Sequence, residues 1–420
     1  MRFQEKMGLL IDAKLVSKRI ERLSLIGRTP EGGVTRPGFS PKEEQAKALV
    51  RRWMAEAGLE TRVDAALNLI GTRLGRDKKA PVIMTGSHLD SVPNGGKFDG
   101  VLGVLGAIEA MRSVNAAKIE TQRTIEVIVF TAEEPNPFGV STFGSRALSG
   151  SLPQGALERA DPRGRTLDEI LSRRGGKPED IASARTDSSG VAAFVELHIE
   201  QGPVLDSRKI PIGIVSHLCG INRLHIDVRG RADHAGTTSM DLRRDALVAA
   251  SEVILAIEGI CRSKGEGVVG TVGKMNLTPN QVNVVPGHIA LEVDLRALDH
   301  EIFDKIKREI LEACKATAQR RGLEISLTQT SAEPPIELPE SLSHMIAKVC
   351  ETLGVSYLMM PSGAGHDANR MAKITRTAVI FVSSHQGLSH CPQEWTDERD
   401  IETGVRVLCE TLVRLANEDG

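Results

Sequence analysis

The sequence predicts an α/β fold: a mostly parallel, buried sheet with helices on it, into which a compact β-α-β-β-α-β unit of ferredoxin-like order is inserted. Three observations carry this expectation. Short β-rich runs alternate with helical segments through the first half of the chain and again near its end, the rhythm of α/β layers. The stretch from about 213 to 330 breaks that rhythm with strands that follow one another directly. Four of the apolar runs end in acidic and imidazole side chains, as expected where strand ends line a ligand crevice.

Taken in order, residues 1–23 (MRFQEKMGLLIDAKLVSKRIERL) form an amphipathic helical pattern with interspersed charges, without the uninterrupted apolar core of a signal peptide. Ser40-Pro41-Lys42-Glu43 has the form of a capping box with proline at the first helical position. Ala46, Leu49, Val50, Trp53 and Ala57 follow at helical spacing, so a helix is expected over 41–57. Strands are expected at 82–84, 125–130, 191–197 and 378–382, with a helix over about 101–111. Between them the order is strand 223–228, helix 242–260, strands 268–275 and 288–295, helix 301–320, strand 323–327. This split-βαβ pattern closes on itself, which divides the chain into a first part (1–212), an insertion (213–330) and a returning part (331–420).

The 420 residues exceed one ordinary core, and 40% hydrophobic with 26% charged residues suit a globular chain. A net charge of -2 offers no basic field for nucleic acid or an anionic membrane. No apolar stretch approaches the roughly 20 residues of a membrane span. Cys219, Cys261, Cys314, Cys350, Cys391 and Cys409 are scattered, without a Cys-x-x-Cys pair, and read as reduced structural residues. A cytoplasmic protein with a small-molecule partner is expected.

The four segments that join strand signals to chemistry are Thr85-Gly86-Ser87-His88-Leu89-Asp90, Phe130-Thr131-Ala132-Glu133-Glu134, Glu196-Leu197-His198-Ile199-Glu200-Gln201-Gly202 and Ser389-His390-Cys391-Pro392-Gln393-Glu394. Singly each has a plain explanation: a structural histidine, a solvated strand edge, or, for Asp99 in its glycine-rich turn, a helix cap. Together His88, Asp99, His198, His390 and one glutamate of the Glu133-Glu134 pair supply three imidazoles and two carboxylates, a set suited to zinc, manganese, cobalt or nickel. One glutamate can bind metal while the other handles protons. Asp90 is placed to accept the second imidazole proton of His88.

With these residues assembled, the chain resembles the M20 metallopeptidase and amidohydrolase superfamily, and within it the N-carbamoyl-L-amino acid hydrolase and allantoate amidohydrolase group. The likeness runs from about Ile20 to Leu415, on GSHLDSVPNGGKFDGVLGV (86–104), FTAEEPNPFG (130–139), ELHIEQGPVL (196–205), GRADHAGTTSMDLRRDA (230–246), NQVNVVPG (280–287), SGAGHDA (362–368) and SHCPQEWT (389–396). Ser239 departs from the proline that often follows the HAGTT segment, a difference for loop stiffness more than for chemistry.

The resemblance implies two divalent metal ions per subunit, His88 and His198 on one, Glu134 and His390 on the other, and Asp99 between them. It implies Glu133 as general base, His234 as oxyanion stabiliser, and Gln201, Asn283 and Arg296 as substrate contacts. The peptidase branches place an acidic ligand where this chain has His198, so the expected reaction is hydrolysis of a ureido acid. Allantoate is the alternative substrate, and a dipeptidase or aminoacylase is more distant. A non-catalytic binding protein would be expected to have lost Glu133 or a ligand, and none is missing. The same resemblance implies that the inserted unit serves as lid and dimerisation domain, with a homodimer in which His234 reaches the partner's site.

Overall fold

A computed structural model describes residues 9–418. They form two compact units: one runs to Ser216 and takes up Leu338–Met360 and the chain from His366 on, and the other comprises His217–Glu337 and Pro361–Gly365.

In the first unit the sheet runs in the order Glu60–Val63, Leu69–Arg73, Ile125–Phe130, Val82–His88, Val191–Ile199, Arg376–Val382, Ile212–Leu218. The four middle strands are parallel, and the margins are antiparallel. The middle strands are buried along nearly their whole length, which explains their continuous apolar runs in place of an alternating pattern. Helices Ala13–Ser24, Val101–Ala116 and Glu398–Ala416 pack together and bury Leu105, Ile108, Leu408 and Leu412. A second cluster, around Phe39, Phe138 and Phe143, underlies the loops after Phe130. No helix among the described residues is long and apolar enough to cross a membrane.

The other unit has a four-stranded antiparallel sheet in the order Glu324–Glu333, Gly220–Arg229, His288–Ala297, Val269–Thr278. Helices Ala246–Ser263 and His300–Arg321 bury Val253, Ile257, Ile306 and Ile310 in a core of their own with Leu224, Ile226, Leu291 and Val293 from the sheet.

Several expected boundaries shift for identifiable reasons. Residues 1–8 of the amphipathic segment lie outside the described residues; the helix begins at Ala13, where Asp12 accepts the Leu15 N–H at 2.9 Å. Only half of the capping box at Ser40 forms. Ser40 accepts the Glu43 N–H, but the Glu43 carboxylate turns away to accept from Phe39 and Ala132. The helix expected from 242 starts at Ala246, because Asp245 caps it and Met240–Leu242 is a single 3-10 turn. The second unit extends beyond residue 330 because its last strand continues to Glu333.

Candidate metal centre

The four parallel strands deliver the chemistry at their carboxyl ends. His88 closes one strand and His198 lies one residue from the end of another. Glu133 and Glu134 follow the strand that ends at Phe130, and His390 lies in the loop beyond Val382. Asp99 sits in the turn just before the helix Val101–Ala116. Gly100 between them has φ +66°, and a Cβ there would stand 2.5 Å from the His88 ring, so the close approach of turn to imidazole requires glycine. Three non-glycine residues at the site, Ala132, Gln201 and His390, also have left-handed backbones with φ between +51° and +58°. Such strained positions gather where a site must be held in one geometry.

Two groups of ligand-type atoms share Asp99: His88, Asp99 and His198, and Asp99, Glu134 and His390, each within 4.8 Å. The two oxygens of Asp99 divide between them. Oδ1 is 3.7 Å from His88 Nε2 and 3.2 Å from His198 Nε2, whereas Oδ2 is 3.1 Å from His390 Nε2. Glu134 Oε1 is 3.6 Å from His390 Nε2, and Glu133 Oε2 is 3.8 Å from His88 Nε2. A third group, Glu196, His198 and His366, is wholly buried beneath.

Asp90 acts differently from expectation. The nearest oxygen to His88 Nδ1 is the Asp90 backbone carbonyl, at 3.0 Å, with the carboxylate at 3.6 Å. The carboxylate instead accepts the N–H groups of Glu133 and Glu134 at 3.1 and 3.0 Å. One residue thus fixes the His88 ring through its main chain and the paired glutamates through its side chain. His198 Nδ1 is held likewise, 2.9 Å from the Ile199 carbonyl, leaving Nε2 toward Asp99.

The charge balance fits a cation site. Burial raises the pKa of Glu133 well above the ordinary range, with Glu134, Asp367 and Asp90 adding to the shift against the opposing pull of His88. Burial, with Asp99 beside it, brings Glu134 to about 7, and burial brings Asp367 to about 8 with Glu196 adding to it. Burial depresses the His88 imidazole, but Asp90, Glu133 and Asp99 outweigh it and hold the ring charged well above its usual range. His390 rises to about 8 through its hydrogen bond to Asp99. Buried carboxyls that retain protons, beside imidazoles that stay charged, are the arrangement that a divalent ion would relieve. Gln201 adds an orphan: its Nε2 donates to Asp99 Oδ2 at 2.9 Å, while its Oε1 is buried without a hydrogen-bond partner.

His234, Asn283 and Arg296 belong to the second unit. His234 Nδ1 accepts the N–H groups of Gly236 and Thr237 at 3.0 and 3.2 Å, so the neutral ring carries its proton on Nε2. The Asn283 carbonyl accepts the Ala235 N–H at 3.0 Å, which joins it to the His234 segment. Arg296 Nε donates to Asp294 at 2.9 Å and Nη1 to the Gly363 carbonyl at 2.8 Å.

Sequence reasoning left several buried groups unassigned. Glu196 accepts the Ser87 hydroxyl at 2.7 Å and the Ala368 N–H at 2.9 Å, and Asp367 accepts the Ser145 hydroxyl. The signal for Glu196 was its spacing: two residues before His198 on a strand, it shares that residue's face. Glu394 accepts the N–H groups of Phe98 and Asp99, a pairing across the whole chain that no local pattern reveals.

The family model for Peptidase family M20/M25/M40 matches residues 84–414. An N-carbamoyl-L-amino acid amidohydrolase of Geobacillus stearothermophilus is 39% identical over 97% of this chain and 99% of its own. A ureidoglycolate hydrolase of Arabidopsis thaliana is 35% identical over 97% and 88%, and an allantoate amidohydrolase of Bacillus subtilis 33% identical over 96% and 97%. A crystal structure of a hydantoinase/carbamoylase family amidase from Burkholderia multivorans superposes with a TM-score of 0.88 at 34% identity, covering 98% of this chain and all of that one. With the strand-end cluster and these likenesses along nearly its whole length, the chain belongs to the M20/M25/M40 peptidase family.

Proposed function

We propose that this chain hydrolyses the ureido C–N bond of N-carbamoyl-L-amino acids, releasing an amino acid, ammonia and carbon dioxide. The observation that carries the reading is Asp99, whose two oxygens face two different ligand groups. We assign two divalent ions, zinc or else manganese, cobalt or nickel, to His88 with His198 and to Glu134 with His390, Asp99 being shared. When bound, such ions lower the pKa of water and polarise a carbonyl oxygen.

A ureido carbonyl is resonance-stabilised and a weak electrophile, so the protein must supply a base for water and donors for the developing oxyanion. Glu133 is the base: burial raises its proton affinity, and it takes the water's proton and delivers it to the departing nitrogen. His234, with its proton on Nε2, donates to the oxyanion. Arg296 is oriented by Asp294 and Gly363 with two of its donors, and its remaining N–H groups read the substrate α-carboxylate. Asn283 and Gln201 complete the substrate contacts.

The dimer reading is supported by the edge strand Val269–Thr278 and the helix Ala246–Ser263, which expose Val269, Met275, Val248 and Leu255. Six free cysteines suit the cytoplasm. A second reading, allantoate or ureidoglycolate as substrate, draws on the relatives of those names. The test is ammonia release from a panel of N-carbamoyl-L-amino acids, allantoate and ureidoglycolate, with release of free amino acid followed for dipeptides, all after metal reconstitution. The highest kcat/KM is expected on an N-carbamoyl-L-amino acid; a clear preference for any other member would overturn the assignment.

A further inference from the structure

We propose that Glu394 is a positioning residue that fixes the spacing between Asp99 and His390 and so sets how tightly the second ion is held. Glu394 is only 2% exposed. Its Oε1 accepts the N–H groups of Phe98 and Asp99 at 2.8 and 3.1 Å, and its Oε2 accepts the Ser389 hydroxyl at 2.8 Å. One carboxylate therefore fastens the main chain of Asp99 to the residue next to His390, joining residues 295 positions apart in the sequence.

Two further features show that the fastening is built in. A Cβ at Gly96 would collide with the Glu394 side chain, so the Asp99 loop reaches it only because that position is glycine. Phe98 and Trp395, the neighbours of Asp99 and Glu394, stack edge to face at 5.5 Å. The need is evident at His390, which has a left-handed backbone (φ +58°) and a half-exposed side chain. A strained loop with little burial of its own must be held from outside. His88 and His198, on strands and nearly fully buried, have no such need.

The inference rests on reading Asp99, Glu134 and His390 as ligands, and the experiment separates the two. Metal-free wild type, E394A, E394Q and H390A are titrated with zinc under chelator competition, bound metal is counted by elemental analysis, and unfolding of each metal-free protein is followed thermally. E394A is expected to bind the first ion within a few-fold of wild type and the second roughly 10- to 100-fold more weakly, the usual range for a group that orients a ligand. E394Q should recover most of the loss, since its amide oxygen can accept from Phe98 and Asp99 and its amide nitrogen can donate to Ser389. H390A should bind a single ion. Two ions still bound by H390A would sink the ligand reading itself. Loss of an ion in H390A with wild-type affinities in E394A would overturn the Glu394 inference alone. Equal weakening of both ions with a lowered metal-free unfolding temperature would mean a general scaffold residue, and E394Q failing as fully as E394A would mean that charge, not hydrogen-bond geometry, is what counts; either outcome overturns the proposal.

Discussion

In the first unit, His88, Asp99, His198 and Glu134 are buried and converge within a few ångströms from four separate stretches of chain. In the second unit, His234 and Asn283 are exposed, and the contacts of the His234 ring and the Asn283 carbonyl run to neighbours in the 234–237 segment. The first arrangement is costly without a cation, because carboxylates there repel one another away from water. The second is satisfied by its own neighbours, and on the proposed reading it acts only when a substrate meets it. Changes in the first region should therefore act on metal and chemistry, and changes in the second on substrate recognition and transition-state charge.

Removing metal tests the first half of that contrast most severely. Chelation is expected to abolish hydrolysis, with zinc, manganese, cobalt or nickel restoring it. Full activity in a preparation shown by elemental analysis to be metal-free would end the reading.

Next in size is the division within the glutamate pair. Glu133→Gln should retain metal and fold and lose roughly 10²- to 10⁴-fold in turnover, because only proton transfer is removed. Glu134→Gln should instead lower metal occupancy. Elemental analysis showing the reverse would exchange the two roles.

In the second unit, His234→Ala should lower kcat by about 10²- to 10³-fold with metal content unchanged, the range for loss of one oxyanion donor. Mixing Glu133→Gln with His234→Ala protein should regenerate activity if His234 serves the partner's site. Absence of recovery after verified subunit exchange would mean that each site is complete in one chain. Arg296→Lys keeps the charge but loses the planar fork, and kcat/KM for N-carbamoyl amino acids should fall by about 2 kcal/mol. An analogue with its carboxylate replaced by an amide should be slow already and change little; equal losses on both would make Arg296 structural.

The contrast also explains what the sequence disclosed. The strand-end segments were legible because burial on both faces produces unbroken apolar runs, as in Ile125–Phe130, and the change to acidic and imidazole residues marks the crevice. The βαββαβ order of the second unit was legible because its turns and periodicities are local. Long-range hydrogen bonds were not. The capping box read at Ser40 forms only in half because the Glu43 carboxylate is drawn to the Phe39 and Ala132 N–H groups, whereas a full box forms at Thr166 and Glu169, which received no such reading. Asp90 was assigned to His88 on spacing alone, but its carboxylate serves the backbone of Glu133 and Glu134, on a neighbouring strand's loop. Such partners depend on which strands become neighbours, and residue spacing carries no record of that.

The last test reads the first region alone, through an effect that is graded with pH. Ligand groups bind metal only when deprotonated, so metal uptake must release whatever protons the empty site holds. In the metal-free protein, hydrogen bonding to Asp99 brings His390 to about 8, and burial brings Glu134 to about 7. The sign follows directly. Above pH 8 both groups are largely deprotonated and contribute little penalty. Between 8 and 7 one proton must leave His390, and below 7 a second must leave Glu134, so affinity falls with pH and falls more steeply below 7. His88, held charged well above the usual imidazole range, adds its own proton across this window. Each released proton costs about tenfold in apparent affinity per pH unit. Zinc titration of the metal-free protein from pH 8.5 to 6 should show this increasing slope, and His390→Ala, which is expected to hold a single ion, should lose both the His390 and the Glu134 parts and keep the His88 part. A flat profile would mean that the cluster is already deprotonated when empty, and that its carboxylates are neutralised by something other than the imidazole protons.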